Sequence, residues 1–173
     1  MRYSQLLSTV YPKVAAKFGV AKTSTEAAQA FGNSVGSWPA FPDTVDALQR
    51  LHKRYKLVVL SNVDEESFKS TNAGPLGGIK FDRVITAQEI GSYKPDLRNF
   101  EYMLRTVKEE LGVDKAEVLQ TAQSQFHDHQ PAKKMGIKSA GIERGGTMGN
   151  RDEMIFDWKF TTLGEMADAV EKE

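Results

Sequence analysis

Cysteine is absent from this chain of 173 residues, which removes disulfide staples, thiolate nucleophiles and cysteine-ligated zinc or iron–sulfur centres. Covalent chemistry must therefore run through oxygen or nitrogen. No stretch of about 18 apolar residues occurs, so no membrane-spanning helix is expected. The opening Met1-Arg2-Tyr3-Ser4-Gln5 leads into an amphipathic pattern rather than the apolar core of a secretory signal. A soluble, cytoplasmic protein is the expectation. Net charge is missing too: 23 Lys and Arg balance 23 Asp and Glu, so nothing draws the chain to nucleic acid or to an anionic membrane. Neither is expected as a partner. What remains, 40% apolar and 27% charged residues, is the composition of a soluble globular protein, long enough to bury its own core.

The first part of the chain reads as helical. Leu6, Leu7, Val10, Val14 and Phe18 recur at three- and four-residue spacing, with Tyr3 and Tyr11 alongside, which places them on one helix face ended by Gly19. A Thr-x-x-Glu capping box at Thr23-Ser24-Thr25-Glu26 predicts a second, shorter helix through Ala27, Ala28, Ala30 and Phe31. Gly36-Ser37-Trp38-Pro39-Ala40-Phe41-Pro42 cannot continue it, because its two prolines each remove a backbone donor and hold their predecessors extended. It is read as a linker, with a small helical piece over residues 1–37 and a larger domain over residues 38–173.

From Asp43 the pattern alternates helix and strand. Asp43 is placed to cap a helix carrying Val45, Leu48 and Leu51. The run Lys56-Leu57-Val58-Val59-Leu60 reads as a buried strand ended by Ser61-Asn62. A helix near residues 64–70, a glycine-rich stretch (Gly74, Gly77, Gly78) and a strand at Arg83-Val84-Ile85-Thr86 follow. Phe100, Met103, Leu104, Val107 and Leu111 mark a helix stopped at Gly112. Three further strands are expected at residues 118–121, 138–142 and 158–160, with a glycine-containing loop (Gly145, Gly146, Gly149) before the last of them. Thr162-x-x-Glu165 opens a final helix bearing Leu163, Met166 and Val170. Strands separated by helices imply an α/β fold: a mainly parallel, Rossmann-like sheet with helices on both faces, preceded by the helical piece.

In such sheets ligands sit beyond the carboxyl ends of the strands. Ser61 and Asn62 follow the best strand, where a hydroxyl and an amide can donate to an anionic oxygen, although the same residues also simply turn chains. Lys94, in Ser92-Tyr93-Lys94-Pro95-Asp96, is held extended by Pro95 just before a helix. It can neutralise a bound anion or a carboxylate, or remain a solvated lysine. Residues 121–129 crowd polar side chains between a strand and a helix. On an extended segment His127 and His129 would flank Asp128 on the opposite side, and the remaining histidine, His52, lies far back on another helix. A histidine metal site is therefore disfavoured. Asp128 fits better as a cap or as a loop-organising partner of Lys94. Gly-x-Gly-x-x-Gly, Gly-x-Ser-x-Gly and Gly-Lys-Ser/Thr phosphate-loop motifs do not occur.

The order and spacing of these segments say more than any one of them. A strand ending in Ser61-Asn62, a lysine in Lys94-Pro95-Asp96, then a strand followed by residues 123–128 and Pro131-Ala132-Lys133-Lys134-Met135-Gly136-Ile137 resemble the haloacid dehalogenase superfamily through nearly the whole chain. The resemblance implies a Rossmann-like core under a helical cap, to which the two helices before Trp38 would belong. It implies attack by an aspartate on carbon or phosphorus, followed by hydrolysis of the covalent intermediate. Ser61, Asn62, Lys94 and Asp128 take the catalytic positions in it. Gln123, His127 and Phe100 take substrate-binding ones, and the substrate is a small anion.

Two departures from the family pattern set further expectations. The aspartate-ended strand that should precede the cap is not seen, and no later strand replaces it, so the chain is expected to be inactive by this route and to leave sheet edges open to a second copy. Where phosphatase members carry a magnesium-binding acid, this chain has Ala122-Gln123. A neutral amide weakens magnesium binding, so no cofactor is expected beyond a weak magnesium site in a phosphatase-like reading. That points to the 2-haloacid dehalogenase branch, with a phosphatase of small phosphate esters and a non-catalytic binding or dimerising homologue as the alternatives. Phe100 stands where the dehalogenase branch often has a tyrosine.

Overall fold

In the computed structural model the described residues are 1–20, 22–145 and 154–172. The amphipathic opening forms helix α1 (Tyr3–Lys17) and the next helical segment forms α2 (Thr25–Asn33). Ser24 caps α2, its side chain accepting from the Ala27 amide, whereas the capping box had placed Thr23 there. The two helices cross closely because Gly32 has no side chain: a Cβ there would lie 2.3 Å from the Ser4 carbonyl oxygen. Tyr11 and Phe31 pack across the crossing with ring centroids 5.1 Å apart. A 3-10 turn (Ser34–Ser37) then brings Gly36 against Ser70 of helix α4 (Glu65–Ala73), which ties the helical piece to the remainder.

After the proline-containing segment come α3 (Thr44–His52), β1 (Val58–Ser61), α4, β2 (Arg83–Thr86), α5 (Ala87–Ile90) and α6 (Leu97–Leu111). β3 (Leu119–Ala122), a π-helical turn (Gln125–His129), α7 (Gln130–Met135), β4 (Lys138–Ile142), β5 (Trp158–Phe160) and α8 (Leu163–Glu171) complete the order. Asp43 sits at the start of α3 without capping it. Its carboxylate instead accepts from Arg144 at 2.6 Å and from the Gly164 amide of α8 at 3.0 Å. A distant helix end and a guanidinium out-compete the local cap. Gly146 and Gly149 lie outside the described residues.

Every strand pairing among the described residues is parallel. β1 runs beside β2 with Ser61 opposite Thr86, and β3–β4–β5 form a second group with Ala122 opposite Gly141. Among the described residues no ladder joins β1 to β3, so each carries one edge without a strand partner. Helices cover both faces. Ala47, Leu51, Ala140, Ile142, Met166 and Ala167 form one apolar cluster beneath α3 and α8, and Ile85, Phe100, Met103, Val107, Ala132 and Ile137 form another beneath α6 and α7. This is the Rossmann-like α/β arrangement with an N-terminal helical region that the alternation of segments predicts.

Candidate active site

The carboxyl ends of β1 and β3 carry the residues of interest. Strand β1 stops at Ser61 and hands the chain to Asn62, whose amide is bonded at both ends. Its Oδ1 accepts from the Lys94 amide at 2.7 Å and its Nδ2 donates to the Lys94 carbonyl at 3.1 Å. Asn62 thus clamps the backbone of Lys94, with one Nδ2–H left over. Ser61 Oγ makes no hydrogen bond with the described residues.

Lys94 reaches back across this clamp. Its ammonium donates to the Leu60 carbonyl at 2.8 Å and to Asp128 Oδ1 at 2.6 Å. Gln120 of β3 donates to the same carboxylate oxygen at 3.2 Å. The Lys94 and Asp128 side chains are 11% and 9% exposed, so the pair is held in a screened setting where its charges interact strongly. An ammonium has three N–H groups and two are used, which leaves one to offer an anion.

The loop bearing Lys94 is fixed from behind. Asn99, buried on α6, donates to Ser92 Oγ and to the Asp96 carbonyl, while Asp96 caps α6 through the Arg98 amide. The Arg98 guanidinium beside it holds the Asp96 carboxyl down at about 2. This scaffold is what lets a lysine, normally mobile, keep one position.

The π-helical turn after β3 sends its side chains in separate directions. The expected extended segment is not formed, because Ser124 accepts the His127 amide and starts the turn. His127 Nδ1 lies 3.1 Å from Ser124 Oγ. His129 is fully buried, its Nε2 3.0 Å from the Ala122 carbonyl oxygen and its Nδ1 without a partner. Burial pushes the His129 pKa down, so the ring is neutral and Nε2–H donates to Ala122. Gln123 is half-buried directly after β3.

Lys94, Asn62 and Asp128 are therefore brought into one hydrogen-bonded unit, with Ser61 at its edge and Gln123 and His127 on the neighbouring turn. Phe100 is not among them: it is fully enclosed in the apolar cluster with Ile85 and Met103. Sequence reasoning missed Gln120, Asn99 and the Leu60 carbonyl. Asn99 did carry a signal, being polar four residues before Met103 on the apolar face of α6. A backbone carbonyl carries none.

The donors among the described residues do not by themselves make a magnesium site. Such a site needs several oxygen ligands, chiefly carboxylates. Here the position after Ala122 is Gln123, Asp128 has its Oδ1 engaged by both Lys94 and Gln120, and the described residues contain no cluster of three acids or histidines.

Comparison with known proteins agrees with this architecture. The chain is 28% identical over 134 residues to the (S)-2-haloacid dehalogenase of Pseudomonas sp. (strain YL), covering 76% of this chain and 55% of that protein. It is 31% identical over 90 residues to the glyceraldehyde 3-phosphate phosphatase of Methanocaldococcus jannaschii, covering 52% of this chain and 38% of that protein. It thus spans about half the length of these relatives or less. The crystal structure of L-2-haloacid dehalogenase from Xanthobacter autotrophicus superposes with a TM-score of 0.72 at 20% identity, over 98% of this chain and 84% of that one. The model of haloacid dehalogenase-like hydrolases matches residues 8–119, a span that holds Ser61, Asn62 and Lys94, and the chain belongs to that family.

Proposed function

We propose that the chain supplies the lysine- and serine-bearing part of a hydrolytic site that acts on short 2-haloacids. The observation that carries this reading is the Lys94 ammonium, anchored by Leu60 and Asp128 with one N–H left over, close to the Ser61 end of β1. A small carboxylate suits a point charge with a hydroxyl nearby. The similarity to the Pseudomonas dehalogenase supports the branch.

The chemistry implied by the family is a displacement in two steps. An aspartate carboxylate attacks C2 of the haloacid and expels halide, forming an ester, and water then cleaves the ester to the 2-hydroxyacid and regenerates the carboxylate. Lys94 and Ser61 hold the anionic groups, Asn62 fixes Lys94, and Asp128 orients its ammonium. Gln123 and His127 line the neighbouring turn.

The attacking aspartate is not found at any described strand end. The strands finish at Ser61, Thr86, Ala122, Ile142 and Phe160. Of the carboxylates on these loops, Asp64 has both oxygens bonded, to the amides of Ser4 and Ser67, and Asp128 has Oδ1 bonded to Lys94 and Gln120. These 173 residues alone are thus expected to release no halide. Joining an aspartate-ended strand ahead of Met1, to lie beside the unpaired edge of β1, completes the site.

Halide release from 2-chloropropionate tests both parts. The joined protein should turn over and its Lys94→Ala variant should lose about 10²–10³-fold, as when a preorganised charge stabiliser is removed. Unchanged turnover in that variant, or release by the chain alone, would sink the reading. The second reading is a phosphatase of small phosphate esters, favoured by the Methanocaldococcus relative. Magnesium-dependent cleavage of a phosphate monoester would select it, against the donor set described above.

A further inference from the structure

Helix α1 caps itself in part: the Arg2 amide donates to Gln5 Oε1 at 3.1 Å, which leaves the Ser4 amide to find an acceptor elsewhere. Its N-cap position is Arg2, and a guanidinium has no acceptor to offer the free amides of the first turn. The acceptor comes from 60 residues away: Asp64 Oδ2 takes the Ser4 amide at 3.0 Å. The other oxygen of the same carboxylate takes the Ser67 amide at 3.0 Å and so caps α4. Asp64 is 2% exposed and follows Ser61 and Asn62 on the same loop. A second tie runs parallel, since Tyr93 Oη, next to Lys94, donates to the Met1 carbonyl at 2.8 Å.

Capping α4 alone does not require an aspartate, because serine and asparagine cap about as well. Serving two helices at once does. An ionised carboxylate has two acceptor oxygens and no donor, whereas an asparagine amide turns an NH₂ toward the second helix. Burial works against the charge on Asp64, but the Ser67 and Ser4 amides outweigh it and hold its pKa below the ordinary carboxylate value.

We propose that Asp64 is a positioning residue whose shared carboxylate docks the N-terminal helices onto the loops that carry Ser61, Asn62 and Lys94. Capping one helix from the core and one from the helical piece, it joins the two through a single side chain, alongside the Tyr93–Met1 bond and the contact of Gly36 with Ser70. The assignment is independent of which anion the site takes, and its test needs no substrate.

Residue-resolved amide exchange on the 173-residue chain and its Asp64→Asn and Asp64→Ala variants separates the two capping duties. In Asp64→Asn the first turn of α1 should exchange about tenfold faster or more, as expected for loss of a hydrogen bond to a charged group, with the first turn of α4 unchanged. In Asp64→Ala both should speed up. Asp64→Ser, another one-oxygen cap, should repeat the asparagine result and decides the matter if the asparagine variant fails to fold. Equal change at α1 and α4 in the one-oxygen variants, change at α4 alone, or none at α1 would overturn the proposal.

Discussion

At the scale of single residues the site is a matter of which polar group is already taken. Asn62 was a candidate ligand contact by position, and the structure spends both ends of its amide on the Lys94 backbone. Asp128 was a candidate partner for Lys94, and it is one. Its removal defines a prediction. Asp128→Ala strips the counter-charge from an ammonium that is 11% exposed, and removing one member of such a pair costs more than the pair contributes. The loss should approach about 3 kcal/mol in urea unfolding. Ser61→Ala should cost within about 0.5 kcal/mol, because no described side chain depends on it. A loss in Asp128→Ala no larger than in Ser61→Ala would show that water already screens Lys94. Phe100 holds a motif position and also lies on the apolar stripe of α6, and its ring is enclosed in the cluster with Ile85 and Met103.

At the scale of elements, periodicity was a reliable guide, and capping was one for α8, where Thr162 accepts the Glu165 amide at 3.1 Å as expected, but not everywhere. β2, β4 and β5 occupy the segments their apolar, β-branched or aromatic runs predict, and Gly112 ends α6 in the left-handed conformation that glycine adopts without strain. Caps failed where a tertiary partner competed. Asp43 was expected to start α3, yet Arg144 and the Gly164 amide hold its carboxylate, and the Arg144 contact lowers its pKa to about 2. A carboxylate whose folded pKa is depressed contributes stability fully present above its unfolded value of about 4 and lost as pH falls through the folded value. Asp43→Asn should therefore melt below the parent protein at neutral pH, and the difference should close between about pH 4 and pH 2. Thermal melts across that range check it, and a gap that does not depend on pH would assign the effect to packing.

At the scale of the whole molecule the sheet is the decisive feature. β1 and β3 each present an edge with no strand partner among the described residues, and parallel edges with open amides and carbonyls invite pairing. The chain by itself is expected to self-associate through them. Light scattering across a dilution series should give a mass above one chain that falls on dilution, and a single-chain mass at every concentration would discard the expectation. Joining an aspartate-ended strand should suppress the association in the same measurement.

The sequence alone determined what is local or repeats along the chain: helix and strand type, the parallel α/β class, and the order of Ser61, Lys94 and Asp128 that marks the family. These follow from side-chain periodicity and from spacing, which a linear string preserves. Only the tertiary structure decided which polar groups are free and which are engaged. Asn62 bonding Lys94, Asp64 serving two helices and Asp43 leaving its own helix are contacts between residues 32, 60 and 101 positions apart. A hydrogen bond is won by the acceptor that folding brings within about 3 Å, and distance along the chain carries no record of that.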